Sequence, residues 1–507
     1  MHATHDFSFI DWVTVLACAA LLLAIGWFFA RRQRTTEEYF VAGRNQRPWV
    51  AGISLFAALF SLVAYLGVPG EIVQHGPMLV LGSVAVLPLT YWLICRFLIP
   101  AFMRLPITSG YELLESRLGR SVRRTGATTF MIVRLVWMAL ILYVSANVIV
   151  TVTGCDPRWI PALECAVGLV ATIYTLAGGI EAAMTTAVLE FAVLVLGAFL
   201  TVALITLRSG GVAAWWPHHA PAFWIPQPLW SSDWHIRLTG VGTILSYGIS
   251  TVCSGGSDQV AIQRYLTTRD TAAARRAVLF GHLAVGSILL ILGVVGFALL
   301  GYYRLFPAEL PPGVPLARAG DGLFPYFLSH ALPPGLSGLV VAGLLTSAVS
   351  GLGPSINSVI AVANQDFLKR DSRSETAKLR TARWLALAIG GVIVTGSFGM
   401  ASVRGNLVEV SGKTVNLFFY PVFGLFFFAL FVRFATALGA VTGAIAGAAA
   451  GILVGYWDVI TGQPAVSFQW IAPVSLVTTL TVGITIAGVA ERLKRFGLGP
   501  RSGPETH

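Results

Sequence analysis

A few ionisable side chains interrupt otherwise apolar stretches of this 507-residue chain: Arg134, Glu164, Glu190 and His282. Charged or titratable groups in such surroundings are functional candidates, because burying them without a purpose is unfavourable. Arg134 can hold an anion or pair with Glu164 or Glu190. Glu190 and His282 can carry a proton, although an ordinary packing role competes for His282. Arg96 lies nearer the end of its apolar run, where a long side chain reaches the membrane surface.

The stretch "SAVSGLGPSINS", Ser347–Ser358, places hydroxyl groups and weak helix formers at the centre of another apolar run. Two interpretations follow from the residue types. Small residues allow two helices to pack closely in a membrane. Alternatively, hydroxyl and carbonyl oxygens can bind a hard cation. From the residues alone, the packing interpretation is favoured.

The composition is that of a membrane protein. Hydrophobic residues make up 56% of the chain, charged residues only 11%, and the mean hydropathy is +0.76, whereas a water-soluble domain has about 25% charged residues. Long apolar runs, rather than alternating strands, predict an all-α polytopic protein. The net charge of +11 does not indicate a nucleic-acid partner, because Lys and Arg fall in alternate loops between apolar runs.

Other classes of site receive no support from the sequence. The five cysteines form no CxxC pair, the nine histidines have no ligand spacing, and no phosphate-binding G-x-x-x-x-G-K-[ST] motif occurs. We therefore expect neither an enzyme nor a cofactor, and we expect an ion gradient rather than ATP as the energy source.

The apolar runs predict thirteen membrane spans in an inner or plasma membrane, with the lipid bilayer as the surroundings. The alternation of basic loops predicts an outside N-terminus and a cytoplasmic C-terminus. The predicted ranges are 8–30, 49–72, 77–103, 126–151, 159–179, 184–207, 238–258, 277–302, 334–363, 384–403, 412–433, 436–457 and 470–490.

Two of these spans contain residues that weaken a helix. The span 49–72 contains Gly67, Pro69 and Gly70, and the span 238–258 ends near Gly255 and Gly256. Transporters driven by ion gradients often contain two broken helices at corresponding positions of inverted repeats. Five spans separate the two starts, so the two helices cross in opposite directions, and we expect both to break at these residues.

Several motifs in order resemble the sodium:solute symporter family. These are "EYFVAGRNQRPWVAGISLFAALFS", "ITSGYELLESRLG", "VRLVWMALILYVSANVIVTVTG", "YTLAGGIEAAMTTAVLEF", "DQVAIQRYLTTRDTAAARRA" and "SINSVIAVANQDFLKR". The second and third are most similar to the branch that carries iodide, monocarboxylates and multivitamins. The resemblance covers roughly residues 36–435.

The resemblance implies a LeuT-type core of two inverted five-helix repeats, about 49–207 and 238–433, within residues 36–435. Residues 1–35 would then hold an extra N-terminal helix, and residues 436–507 the last helices and a cytoplasmic tail. The stretch after the second broken helix starts with Asp258 and Gln259, which we expect to tie that helix to its loop.

The resemblance also implies a sodium site between the first core helix and the helix that contains Ser347–Ser358. Its carbonyl ligands would be Ala57, Phe60 and Ser347, and its hydroxyl ligand Ser350. A second hydroxyl of the family falls at Gly351, so we expect weak sodium dependence. Other polar positions of the family fall at Gly353, Pro354 and, for an aspartate, Ala187. Glu190, three residues after Ala187, can bring a carboxylate back to the same helix face.

The substrate-facing positions implied by the resemblance are Ala64, Tyr65, Thr251 and Ser254, to which Arg134 adds a positive charge. The leading hypothesis is a secondary transporter that imports a small organic solute or anion together with an ion, most simply sodium, by alternating access. Two alternatives stay open: proton coupling through Glu190 or His282, and a membrane sensor that kept the fold and lost sodium coupling.

Overall fold

A computed structural model describes residues 8–30, 38, 41–60, 62–104, 109–333, 335–367, 375–400, 413 and 416–495. The regular secondary structure of these residues is helical, and they contain no β-strand. The basic loop with Lys369, Arg370 and Arg373, predicted to be cytoplasmic, lies outside the described residues.

The helices vary from four to fifty residues in length. In chain order they are α1 (Phe9–Ala30), α2 (Pro48–Leu59), α3 (Leu62–His75), α4 (Met78–Ala85), α5 (Leu87–Leu93), α6 (Ile99–Met103), α7 (Glu112–Leu118), α8 (Arg120–Thr153), α9 (Ile160–Ser209), α10 (Val212–Trp215), α11 (Gly240–Ser257), α12 (Gln259–Leu266), α13 (Thr271–Leu305), α14 (Leu323–His330), α15 (Leu336–Val362), α16 (Glu375–Ser397), α17 (Asn416–Phe431), α18 (Ala437–Gly455), α19 (Trp457–Thr461) and α20 (Ile471–Arg495). Wider π-type turns, Ile94–Leu98 and Ala363–Phe367, continue α5 and α15.

Each of the thirteen predicted ranges overlaps a helix among the described residues. Among the described residues, nine helices are long and apolar enough to cross a membrane, or ten when the bent pair α2–α3 counts as one span. Two predicted spans share α9, which contains a non-helical Gly179 with φ +54°, a backbone conformation that favours glycine. The count of thirteen spans stays a prediction.

The first core helix breaks, but not where the sequence predicted. Helix α2 ends at Leu59, Phe60 is extended (φ −86°, ψ 103°), and α3 resumes at Leu62 with a bend of 62°. The prediction of a break at Gly67, Pro69 and Gly70 was wrong, because α3 runs through all three. These residues are buried, and neighbouring helices can support a proline inside a membrane helix.

The second interruption differs from the prediction too, because it lies just after the two glycines. Helix α11 runs through Gly255 and Gly256 to Ser257, and the extended Asp258 separates it from α12. A Cβ atom on Gly256 would lie 2.5 Å from the ring of Phe423. These glycines therefore serve close packing, and the side chain of Asp258, which accepts a hydrogen bond from the Val260 N–H at 2.9 Å, starts α12.

Closely packed helix pairs surround the first helix break. Helix α2 packs on α13, where a Cβ on Gly52 would lie 2.4 Å from the carbonyl oxygen of Ala277. Helix α15 packs on α9, where a Cβ on Gly343 would lie 2.7 Å from Val193. Small residues permit this approach, so α2, α9 and α15 meet around the helix break.

The C-terminal helices form a glycine-lined pair. Every fourth residue along one face of α18 is glycine, and this face meets α20. A Cβ on Gly443 would lie 2.5 Å from the carbonyl oxygen of Thr479, so the two backbones touch. The same α20 residue reaches α17, because a Cβ on Gly424 would lie 2.3 Å from the Thr479 methyl group.

Candidate transport cavity and ion site

A cavity of about 360 Å³ lies between α2, α3, α8, α11, α13 and α17. This volume is at the small end of the range for small-molecule sites. Of the predicted substrate-facing residues, Ala64, Arg134, Thr251 and Ser254 line it. The structure therefore brings four of these five residues to one cavity.

Tyr65 does not belong to this lining, which corrects its predicted role. Its side chain is fully buried, its hydroxyl donates to the carbonyl of Leu194 on α9 at 3.0 Å, and its ring packs against Phe324. One residue after Ala64, it points to the other side of α3, because successive helix residues are rotated by about 100°. Tyr65 thus anchors α3 to α9.

A band of hydroxyl groups on α11 forms one wall, and sequence reasoning missed most of it. Ser246, Ser250 and Ser254 recur every fourth residue and all line the cavity. The Ser250 and Tyr420 hydroxyls lie 2.9 Å apart, which links α11 to α17. The four-residue spacing in "SYGISTVCS" was the available signal, since it places the hydroxyls on one helix face.

A buried ion pair forms part of the lining. Arg134 on α8 donates through Nη2 to Asp258, and the two residues are 2% and 0% exposed. The predicted pairing of Arg134 with Glu164 or Glu190 was wrong: Glu164 instead accepts from the Ser397 hydroxyl at 3.0 Å. The Nε atom of Arg134 has no hydrogen-bond partner within the described chain. One donor of a cavity-lining guanidinium therefore remains for an anion.

Asp258 and Gln259 fulfil their expected structural role as well. Asp258 caps α12, and the Gln259 side-chain oxygen accepts from the Gly110 N–H at 2.8 Å. The Tyr111 hydroxyl donates to the Ser257 carbonyl at 2.8 Å. The junction of α11 and α12 is thus tied both to Arg134 and to the turn before α7.

The residues of the predicted ion site lie where two helices face each other. Ala57 belongs to the last turn of α2, and the extended Phe60 follows this helix. Ser347 and Ser350 are buried on α15, which packs against α2. The Ser350 hydroxyl has no hydrogen-bond partner among the described residues.

Gly351 leaves open space rather than a tight contact. A Cβ atom there would meet only Ile141 within 4 Å, at 3.7 Å. Close packing therefore does not explain glycine at the position where the family places a hydroxyl. Throughout Ser347–Ser358 the backbone is helical and buried, including Pro354.

Glu190 lies on α9 opposite this part of α15. The side chain is 0% exposed, and Ser350 and Ser347 lie close to it. Ala187, one turn earlier, is also buried. Glu190 thus brings a carboxylate to the predicted ion site.

His282 lines the cavity with both ring nitrogens near partners. Its Nε2 lies 3.1 Å from the Thr90 hydroxyl and its Nδ1 3.0 Å from the Val278 carbonyl. This arrangement suits a packing histidine and leaves its proposed role in proton coupling as a prediction. Arg96 is exposed beside the ring of Phe97, as expected for a side chain near a helix end.

A sequence model of the sodium:solute symporter family matches residues 39–447. The chain belongs to the sodium:solute symporter family. The resemblance seen in the sequence is therefore confirmed, and the protein is a multi-pass membrane transporter that performs ion-coupled solute symport.

Curated relatives agree with this assignment. The chain is 28% identical over 447 residues to a sodium/sialic acid symporter of Proteus mirabilis (strain HI4320), covering 86% of this chain and 88% of the relative. It is 29% identical to the sodium-dependent multivitamin transporter of Oryctolagus cuniculus, covering 91% and 72%, and 28% identical to sodium-coupled monocarboxylate transporter 1 of Homo sapiens, covering 88% and 74%.

A solved structure of a Na⁺-coupled sialic acid symporter, in a substrate-bound outward-open state, is similar over nearly the whole chain. The TM-score is 0.83 at 26% sequence identity, covering 96% of this chain and 98% of that one. The all-helical fold is therefore that of a sodium-coupled symporter.

Proposed function

We propose that this symporter uses sodium to import a small organic carboxylate. The observation that carries the proposal is Arg134, a buried cation on the cavity wall with its Nε unpartnered among the described residues. Guanidinium groups bind carboxylates through charge-assisted hydrogen bonds. The hydroxyls of α11 and the aromatic rings of Phe419 and Tyr420 would hold the rest of such a solute.

Sodium would bind at the end of α2. Carbonyls of Ala57, Phe60 and Ser347 and the Ser350 hydroxyl are the proposed ligands, supported by the helix break at Phe60 and by the unpartnered Ser350 oxygen. Sodium-coupled relatives support the choice of ion. Phe60 and Ala64 also line the cavity, so the ion and the solute would share one helix break, as expected for coupled binding.

The cavity would open to the outside in this state. Leu238, Phe468 and Gln469, at the predicted outer helix ends, line one end of it. Toward the predicted cytoplasmic side, Arg134 pairs with Asp258, and the Ser358 hydroxyl donates to Gln263 at 2.6 Å. Alternating access within two inverted repeats of residues 36–435, in a thirteen-span protein, would require these contacts to separate.

Uptake into proteoliposomes tests the proposal. Purified full-length protein is offered radiolabelled sialic acid, lactate and pantothenate under an inward sodium gradient, an inward proton gradient or neither. We expect sodium-driven uptake of a carboxylate and little uptake of its uncharged amide. Uptake driven only by protons would contradict the sodium proposal, and preference for the amide would contradict the role of Arg134.

A further inference from the structure

A second buried guanidinium group lies close to the Arg134–Asp258 pair. Arg264, on α12, is 1% exposed, and the ion pairs of the described residues do not include it. Its Nη2 atom has no hydrogen-bond partner in this part of the chain. A buried cation without a compensating anion is unfavourable. The guanidinium of Arg264 is therefore a candidate site for an anion that the chain itself does not supply.

Short hydrogen bonds connect Arg264 to the cavity wall. Its Nη1 donates to the Val260 carbonyl at 2.9 Å, and the Val260 N–H donates to Asp258 at 2.9 Å. Asp258 in turn accepts from Arg134, and these two residues line the cavity, whereas Arg264 is not part of the lining. Because helix carbonyls point toward the C-terminal end, here the predicted cytoplasmic end of α12, the Arg264 guanidinium lies on the inner side of the pair.

The cluster of Arg134, Asp258 and Arg264 carries an excess of positive charge. Two guanidinium groups and one carboxylate are buried together, so one positive charge has no counterpart among them. Each guanidinium also has a nitrogen atom without a partner among the described residues, Nε of Arg134 and Nη2 of Arg264. One carboxylate from outside the protein would balance the charge, and either guanidinium has a donor for it.

Two helices cover Arg264 in this state, since α12 packs against both α2 and α15. On α2, Ser54 is 0% exposed, and its hydroxyl oxygen lies 3.4 Å from the Nε of Arg264. On α15, the Ser358 hydroxyl donates to Gln263, the residue before Arg264, at 2.6 Å. Movement of α12 away from α2 and α15 would open the inner side and would expose Arg264 to the path of a leaving solute.

We propose that Arg264 is a second carboxylate-binding residue, which receives the carboxylate of the solute from Arg134 as the protein opens to the cytoplasm. This inference rests on the carboxylate import proposed above. A carboxylate that leaves Arg134 loses a strong charge-assisted hydrogen bond. A second guanidinium on the inner side replaces that bond, so the solute binds from the cytoplasmic face through Arg264.

Efflux from right-side-out membrane vesicles that contain the full-length protein tests the inference, because the solute then binds from the cytoplasmic face. Vesicles are loaded with radiolabelled lactate, pantothenate or sialic acid and diluted into solute-free buffer with equal sodium on both sides. Arg264→Gln should raise the half-saturating concentration for efflux by about tenfold or more, the effect of one lost charge-assisted hydrogen bond. The half-saturating concentration for uptake, measured at the outer face, should stay unchanged.

Ser54→Ala is the matched control, because it removes the hydroxyl beside the Nε of Arg264 and keeps the positive charge. It should leave both half-saturating concentrations at their wild-type values. If Arg264→Gln does not fold, Arg264→Lys keeps the charge without the forked donors, and a smaller rise at the cytoplasmic face alone is expected.

Ser358→Ala separates solute binding from closure of the inner side. It removes the neighbouring contact between α15 and Gln263, so a larger fraction of the protein should be open to the cytoplasm. The half-saturating concentration for efflux should then fall, because more of the protein is competent to bind from inside. A residue that only keeps the inner side closed would give the same fall when it is substituted, whereas Arg264→Gln should give a rise.

Four results would overturn the role of Arg264 and leave carboxylate transport in place. These are an unchanged half-saturating concentration for efflux in Arg264→Gln (or in Arg264→Lys when the glutamine variant does not fold), equal rises at both faces, a fall like that of Ser358→Ala, and an equal rise in Ser54→Ala. A wild type that carries none of the three carboxylates would overturn the proposed function and this inference together.

Discussion

At the scale of single residues, Arg134 and Asp258 form a pair in which each member also has another task. Asp258 caps α12, while Arg134 lines the cavity and has an Nε without a hydrogen-bond partner among the described residues. Removing one member leaves a buried charge without compensation, which costs about 3–5 kcal/mol. A variant that lacks both charges can therefore distinguish the effect of Arg134 on protein stability from its effect on carboxylate binding.

We expect Arg134→Gln and Asp258→Asn each to lower the thermal stability of the detergent-solubilised protein, and the double variant to recover most of the loss. Carboxylate binding should stay lost in the double variant, because Arg134 supplies the contact. Thermal unfolding and equilibrium binding of a labelled carboxylate measure the two effects. A double variant that regains both would make Arg134 a structural residue only.

Gly351 is the second residue with a measurable consequence, because there is room for a side chain. Gly351→Ser should tighten sodium binding by about 5–150-fold, the equivalent of one added contact of about 1–3 kcal/mol. Gly351→Ala fills the same space without an oxygen and should leave the affinity unchanged.

Ser350→Ala should have the opposite effect on sodium affinity, measured in the same binding experiment. Ser355→Ala is its control, since the Ser355 hydroxyl is buried but donates to the Gly351 carbonyl at 2.9 Å. Equal losses in the two variants would mean that the hydroxyls of α15 only stabilise the helix.

At the scale of helices, the first broken helix is held in place by its contact with α13. Because a Cβ on Gly52 would overlap the Ala277 carbonyl, Gly52→Ala should force α2 away from α13. We expect a loss of about 1–3 kcal/mol, measured as a lower unfolding temperature, together with weaker sodium binding. Gly391→Ala on α16, where nothing lies within 4 Å of the added atom, should change neither.

Helix locations were predictable from the sequence, while helix interruptions were not. A long apolar run is the direct signal of a membrane helix, so each of the thirteen predicted ranges overlaps a helix among the described residues. The prediction of helix breaks at Gly67, Pro69, Gly255 and Gly256 was wrong, because glycine and proline occur at close helix contacts as well as at backbone breaks. The true break at Phe60 has no local signature, since neither glycine nor proline occurs within residues 53–66.

The candidate site, too, could be predicted only in part from the sequence. Resemblance to a family predicted Ser350 at the ion site and Thr251 on the substrate path, and Arg134 was singled out as an ionisable residue in an apolar run. Thr251 and Arg134 line the cavity. The partner of Arg134 is 124 positions away in the chain, and no spacing rule reveals such a pair. The side chain of Tyr65 bonds to α9, because this residue is rotated by about 100° around α3 from the cavity-lining Ala64.

At the scale of the whole molecule, the alternation of basic loops still predicts the orientation in the membrane. His219 and Arg269 are exposed at opposite predicted sides. In a variant without the five native cysteines, a cysteine at position 219 should react with a membrane-impermeant maleimide in intact cells. A cysteine at position 269 should react only after permeabilisation. The reverse pattern would invert the topology.

The glycine face of α18 has a mechanical consequence. Helices whose backbones touch cannot slide past one another without first separating, so α18 and α20 move as one body. Thr479 joins this body to α17, which lines the cavity through Phe419 and Tyr420. The C-terminal helices therefore form a fixed support for one cavity wall. The broken helices can move relative to this support during each transport cycle.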